Sequence, residues 1–290
     1  MTGTAGGVTQ VGVVGGGVMG TGFAEVCARA GLDVVVVAAD QDGAERGRRR
    51  LREALDRPVR KGRITEAERD AALARVAFST DVKALRNRQF VLEAVRERLA
   101  DKQEVFAELD RVVEDPDAIL ASNTSSIPIS KLGRATHDPG RVVGVHFFNP
   151  VAAMPLVELV GSLRTRPDVL ERTRAFVTDQ LGKQTVHGRD QPGFMVNTLL
   201  VPFLLSAIRL LESGGGTAEE IDKGMVLGCG HPMGPLALVD LIGLDIIASV
   251  GEAMYEELKE PLYAPPPLLL RMIEAGHLGR KTGQGFYPYA

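Results

Sequence analysis

The sequence predicts an α/β protein. A doubly wound, mostly parallel sheet with a helical hairpin insertion occupies residues 1–187, and a smaller all-α domain occupies residues 188–290. Three observations predict this. Unbroken β-branched runs such as Asp33-Val34-Val35-Val36-Val37 are those of parallel strands covered on both faces. Helical segments alternate with such runs as far as Val186. After Arg189-Asp190-Gln191-Pro192 no strand pattern returns.

In chain order, Gln10 to Val14 is a strand pattern that runs into Gly15-Gly16-Gly17-Val18-Met19-Gly20. A helix over Phe23 to Ala30 follows, closed by Gly31, and then the Asp33–Val37 strand. Strand, G-x-G-x-x-G turn, helix and strand together make a specific Rossmann-type dinucleotide signature. Its glycines allow a tight turn, close approach of a pyrophosphate, and close helix–strand packing. The helix N-terminus presents free N–H groups to the phosphates. Gly15, Gly17, Val18, Met19 and Gly20 are therefore candidate cofactor contacts. An acidic ribose ligand is expected about 20 residues after the glycines. Ala38 occupies the natural position, and Asp40 lies two residues later. Either Asp40 serves from a shifted turn, or Arg46 or Arg48 accepts a 2′-phosphate. NAD is the expected cofactor, and NADP stays open.

Gly47 to Leu55 reads as a strongly basic helix, and Thr65-Glu66-Ala67-Glu68 as a capping box opening another. Together they form a hairpin with a basic tip, Arg57 to Arg63. This is either a solvated charged face or a clamp for a phosphorylated carrier, with Arg50 and Arg57 as candidate substrate contacts. Strand patterns resume at Phe90–Val95, a helix opens at Glu97 to Lys102, and Ala118–Ser122 is a strand ending in Asn123-Thr124-Ser125-Ser126. Ligands of open α/β sheets bind at that carboxyl edge. A Ser or Thr in such a turn otherwise caps locally.

Val143 to Phe147 and Leu156 to Val160 are neighbouring apolar strands, each with one ionisable residue, His146 and Glu158. A histidine facing a carboxylate has its tautomer fixed and works as a general base near neutral pH. The other reading is a core histidine capped by a structural glutamate. Pro167 to Leu181 reads as a helix, and Lys183 to Val186 as the last strand. Beyond residue 188, Gly193 to Leu211, Ala218 to Leu227, Leu236 to Tyr255 and Pro266 to Ala275 read as helices. Their apolar surfaces suggest a homodimer through this domain. Asn197 is either a buried amide or a group over the cleft at the domain junction. The tail Gly279 to Tyr287 either folds back onto the cofactor or simply ends the chain.

Composition bounds the function. The hydrophobic share is 44% and the charged share 24%, those of a soluble globular protein. A net charge of −3 gives no global field for nucleic acid or an anionic membrane. Cys27 and Cys229 show no metal spacing and no disulfide framework, which fits a reducing compartment. Met1 to Gln10 lacks the regions of a signal peptide, and Leu199 to Leu211 is too short to span a bilayer. The expectation is a cytoplasmic protein with no nucleic-acid, membrane or metal partner.

The chain resembles the L-3-hydroxyacyl-CoA dehydrogenase family, especially its bacterial 3-hydroxybutyryl-CoA type, over nearly its whole length. The resemblance rests on Gly15–Gly20, Ser122–Ser126, His146-Phe147-Phe148-Asn149-Pro150, Leu156-Val157-Glu158, Pro192–Asn197, His231–Pro235 and Gly279–Gly283. It implies His146 as catalytic base and Glu158 as its orienting partner. Ser125 and Asn197 would contact the substrate. Glu97, Lys102, Ser125, Asn149 and Lys281 would be cofactor contacts. Two departures lie near the cleft: Met154-Pro155 where many members carry lysine, and Ala152-Ala153 in place of a proline-rich stretch.

The implied reaction is reversible hydride transfer between a nicotinamide cofactor and C3 of a 3-hydroxyacyl/3-oxoacyl-CoA, of short acyl chain. A second reading places the acyl group on acyl carrier protein in a biosynthetic pathway. A third, from another class, is a non-catalytic dinucleotide-binding structural or sensor protein.

Overall fold

Parallel strands need crossover connections, and the chain supplies them as helices in a fixed order. The structure, a computed structural model, describes residues 7–289. Most of the Met1–Gln10 stretch read for a signal peptide lies outside them. Contacts divide the chain into two units that meet between Asp190 and Gln191.

The first unit runs β1 (Gln10–Val14), α1 (Val18–Arg29), β2 (Asp33–Val37), α2 (Gln41–Arg60), α3 (Glu66–Ala74), β3 (Val76–Ser79), β4 (Phe90–Glu93), α4 (Leu99–Val112) and β5 (Ile119–Ser122). It continues with α5 (Ile129–Gly133), β6 (Val142–Phe147), β7 (Leu156–Val160), α6 (Pro167–Ala175) and β8 (Gln184–Gly188). The eight strands are ordered β3-β2-β1-β4-β5-β6-β7-β8. Every pairing is parallel except β6 with β7. The order reverses direction between β1 and β4, the switch point where such sheets bind ligands. Val13, Phe23, Val36, Leu92, Val145 and Leu159 are all fully buried in its core. The expected mostly parallel, doubly wound sheet is what forms.

Three local readings of this unit needed correction. The basic helix begins at Gln41, not Gly47, because Asp40 caps it by accepting from Gly43 N at 2.6 Å. The Thr65–Glu68 capping box forms as read. β3 escaped notice: it is four residues long, and none of them is fully buried. α5 was not anticipated either; Asp190 accepts from the backbone N–H groups of Ile129 and Ser130 at its start.

The second unit holds α7 (Val196–Glu212), α8 (Ala218–Cys229), α9 (Pro235–Ile242), α10 (Leu244–Leu258) and α11 (Pro267–Glu274). The single helix expected over Leu236 to Tyr255 is two, broken at Gly243 with φ of 113°. A residue with a β-carbon resists that conformation. The tail stays within this unit. Asp240, nearly fully buried, accepts from Phe286 N, Tyr287 N and the Tyr289 hydroxyl, each at 2.9 Å. Asp222 accepts from Leu236 N, Ala237 N and the Tyr287 hydroxyl. Burial and the Asp222 carboxylate push the Tyr287 phenol well above its usual range. Among the described residues no helix is long and apolar enough to cross a membrane.

Candidate active site

The glycine turn follows β1 at the switch point. Gly15 has φ of 112°, and a β-carbon there would lie 2.5 Å from the Ala94 carbonyl oxygen. A β-carbon on Gly20 would lie 2.0 Å from the Gly15 carbonyl oxygen. Around Gly17 nothing lies within 4 Å, so its missing side chain faces open space. The three glycines thus match three separate needs: the turn, the helix packing, and a bare surface for a pyrophosphate. Val18 opens α1 largely exposed, and Met19 packs against the core.

This turn borders a cavity of about 910 Å³, large enough for a dinucleotide. Ala38, Asp40, Arg46 and Arg50 stand along its β2 side. The α4 side presents Asp101, Glu104, Val105 and Glu108, one face of the helix. Ala38 is buried and lies near Gly16 and Gly43. Asp40 lines the cavity while capping α2, with Arg46 3.9 Å away. Arg50, expected on the substrate, donates from Nη1 to the Gly16 carbonyl at 2.7 Å and so stiffens the turn. Arg57 is exposed on the last turn of α2. The residues present fit NAD: a bare glycine turn, a helix N-terminus and a carboxylate beyond β2 surround one volume.

His146 and Glu158 form a directly opposed cross-strand pair of β6 and β7. Opposed side chains share a sheet face. His146 Nδ1 lies 2.7 Å from Glu158 Oε2, with the Glu158 side chain fully buried and the imidazole 9% exposed. The Phe148 ring meets the imidazole edge-on at 4.7 Å between centroids. A carboxylate at Nδ1 holds that proton in place and leaves Nε2 as the basic nitrogen. The geometry that a base and its orienting group require is present within one sheet.

Beside β6, Asn123 Oδ1 accepts from Phe147 N at 2.9 Å and ties the turn after β5 to the end of the histidine strand. Ser125 lies on that turn. Glu97 and Lys102, like Ser125, His146 and Asn149, lie beyond the lining of this cavity. Lys102 is 1% exposed, with Nζ 2.6 Å from Glu93 Oε1 and 3.2 Å from Glu97 Oε2. Glu97 Oε1 gathers the turn, accepting from Thr124 Oγ1, Ser125 N, Ser126 N and Ser126 Oγ at 2.5–3.0 Å. Burial opposes its ionisation, but Lys102 and these donors outweigh burial and hold the carboxyl below its usual range. For Glu93 burial dominates and raises the carboxyl, despite Lys102, Ser122 and Val95 N.

Glu93, Asn123 and Thr124 were missed as contributors to the site. A signal existed for Glu93, a lone carboxylate in an apolar strand, the same that marks Glu158. Asn149 is exposed just past β6. In the second unit, Asn197 lies in the first turn of α7, and Lys281 Nζ pairs with Asp245 at 2.5 Å. Among the described residues no group of three or more His, Cys, Asp or Glu could hold a metal ion.

Comparison with known proteins agrees with this geometry. Residues 10–191 match the family described as 3-hydroxyacyl-CoA dehydrogenase, NAD binding domain, and residues 193–289 match its C-terminal domain. The chain is 56% identical to a 3-hydroxybutyryl-CoA dehydrogenase of Mycobacterium tuberculosis, over 97% of this chain and 99% of that protein. Its fold superimposes on the crystal structure of M. tuberculosis FadB2 with a TM-score of 0.97 at 56% identity, covering 98% of this chain and 100% of the other. The (S)-3-hydroxybutyryl-CoA dehydrogenase PaaH1 of Ralstonia eutropha gives 0.92 at 43% identity, covering 98% and 99%. The motifs, the sheet order and these matches together show that the chain belongs to the 3-hydroxyacyl-CoA dehydrogenase family of NAD-dependent oxidoreductases.

Proposed function

We propose that the enzyme interconverts a short L-3-hydroxyacyl-CoA and its 3-oxoacyl-CoA, with 3-hydroxybutyryl-CoA and acetoacetyl-CoA as the pair. The observation that carries this reading is the 2.7 Å contact between His146 Nδ1 and Glu158 in paired strands. The relatives named above supply the acyl length.

In oxidation, His146 Nε2 takes the proton of the C3 hydroxyl. Glu158, already hydrogen-bonded at Nδ1, stabilises the imidazolium that results. NAD, when bound, supplies the hydride acceptor. In reduction, the same imidazolium returns its proton to the oxygen at C3. The Ser125 hydroxyl holds the reacting oxygen, a positioning effect worth several kcal/mol of barrier in well-oriented sites, on the order of 7–11 kcal/mol at most. Asn197 receives the same duty on family resemblance alone. The direct test is NADH oxidation with acetoacetyl-CoA. Turnover only on carrier-protein thioesters would favour the biosynthetic alternative, and no turnover on either would sink the reading.

Cofactor choice is read from Asp40. A carboxylate at the β2 side of the cavity attracts ribose hydroxyls and repels a 2′-phosphate. Asp40→Asn keeps the helix cap, since asparagine caps as well as aspartate. The variant is expected to narrow the NADH-over-NADPH preference by about tenfold, equivalent to about 1.4 kcal/mol. Parallel kcat/KM measurements with both cofactors check this; an unchanged ratio would remove Asp40 from the selection.

Self-association is read from the second unit, where Leu199 and Leu227 are 74% and 73% exposed and Leu241 and Ile246 are also uncovered. Apolar surface of this extent marks an interaction site. A homodimer through this unit is expected, and light scattering that returned one chain mass would refute it.

A further inference from the structure

We propose that Lys183 is a positioning residue for the reaction: its ammonium caps the turn at residues 150–154, just beyond His146, and so keeps Phe148 against the imidazole. The proposal rests on the reading of His146 as the group that carries the proton.

The connection between β6 and β7 is a docked turn. The Pro150 carbonyl accepts from Ala153 N and Met154 N, each at 3.0 Å. Val151 is 3% exposed and seats the turn on α1, where a β-carbon on Gly22 would lie 3.0 Å from Val151 Cγ2. The carbonyls that close such a turn need donors, as do those at the end of a helix. Val151 O finds none four residues on, because Pro155 has no N–H. Lys183, the residue before β8, supplies them: its Nζ donates to Val151 O at 2.7 Å and to Met154 O at 2.8 Å. Beside it, Gln184 N donates to Pro155 O at 2.8 Å. Phe148 lies between this turn and Phe147, whose N–H is held by Asn123. The Phe148 ring meets the imidazole at 4.7 Å between centroids, so the seat of the turn decides how that ring packs on the base.

Chemistry explains the choice of residue. An ammonium on a four-carbon stem offers three donors and can span two acceptors. It also brings positive charge to carbonyl oxygens that carry partial negative charge. Lys183 is half-buried, and burial together with Arg29 draws its ammonium below the usual range, against the pull of Glu25. A lysine that served only solubility would keep its head in water and escape that penalty. The grip is on main-chain oxygens. Ala152, Ala153 and Met154 are exposed, and what holds this stretch is its backbone, not those side chains.

The test is a double-mutant cycle of Lys183→Met and Phe148→Leu, read as kcat on acetoacetyl-CoA, with Lys183→Arg beside it. Lys183→Met is expected to lower kcat by about tenfold to a hundredfold, the cost of a misplaced reacting group. Lys183→Arg should stay within about threefold of wild type, because a guanidinium also donates to two acceptors. Lys183→Met should cost much less in the Phe148→Leu background than in wild type, since residues acting as one unit are non-additive. Wild-type kcat in Lys183→Met would overturn the proposal. So would a Lys183→Arg variant that falls as far as Lys183→Met, or effects that simply multiply. His146→Gln at full turnover would sink the reading of the base, and the proposal with it. An impaired His146→Gln beside a fully active Lys183→Met would remove the proposal alone. Should Lys183→Met fail to fold, Gly22→Ala enters the same cycle, because its methyl meets the turn at Val151. Its kcat must also fall, and fall less in the Phe148→Leu background, or the proposal ends.

Discussion

His146→Gln is expected to lower kcat by about 10²–10⁴-fold, the usual worth of a positioned general acid–base. Glutamine approximates the length of histidine, and its amide can still donate to Glu158, so the buried carboxylate keeps a partner. It has no group that takes up a proton near neutral pH. The glycine turn and the other residues that line the dinucleotide cavity are untouched by this substitution. NADH affinity should therefore hold while turnover collapses in both directions of the reaction. Steady-state kcat beside an NADH fluorescence titration separates the two quantities. A variant that turned over at the wild-type rate would leave the proton without a carrier and end the assignment.

Gly20→Ala should damage the enzyme by another route. The added methyl would sit 2.0 Å from the Gly15 carbonyl oxygen and 3.1 Å from Val13 Cγ1. Gly15 cannot yield easily, because its own backbone is held against Ala94 with φ of 112°. The first turn of α1 must shift away from the glycine loop. Overpacking of this kind costs about 1–3 kcal/mol. Carried into the phosphate-binding backbone, the same energy weakens NADH binding by about tenfold to a hundredfold. Gly17→Ala is the control for the fold: with nothing within 4 Å, it should melt like wild type and weaken only the ligand. Equal NADH affinity in Gly20→Ala and wild type would show that the turn is not as tight as its geometry requires.

The sequence and the structure agree most closely where one local signal decides the outcome. The G-x-G-x-x-G turn could be read because flanking strand patterns supplied its context. His146 and Glu158 could be read because an ionisable residue in an apolar strand must find a buried partner. Glu93 carries the same mark, yet its partner Lys102 lies on a helix, where lysine ordinarily faces water; only tertiary packing shows otherwise. β3 could not be read from four residues of which none is buried. The break at Gly243 was hidden because α9 and α10 continue one apolar pattern across it. The contact of Arg50 was out of reach for a simpler reason: nothing in the composition of a basic helix says that one arginine turns back to the Gly16 carbonyl.

The lone antiparallel pairing of the sheet has a consequence for how this enzyme can change. Strand register, not a loop, sets His146 opposite Glu158. The contact between His146 and Glu158 is thus assembled when the sheet forms, before any ligand arrives. Residues 152–155, exposed between the two strands, can vary in composition without disturbing it. A residue inserted inside either strand would instead turn one partner to the far face. If this pair carries the proton as proposed, acceptance of new acyl groups can drift in the connections while the pair stays fixed in the ladder.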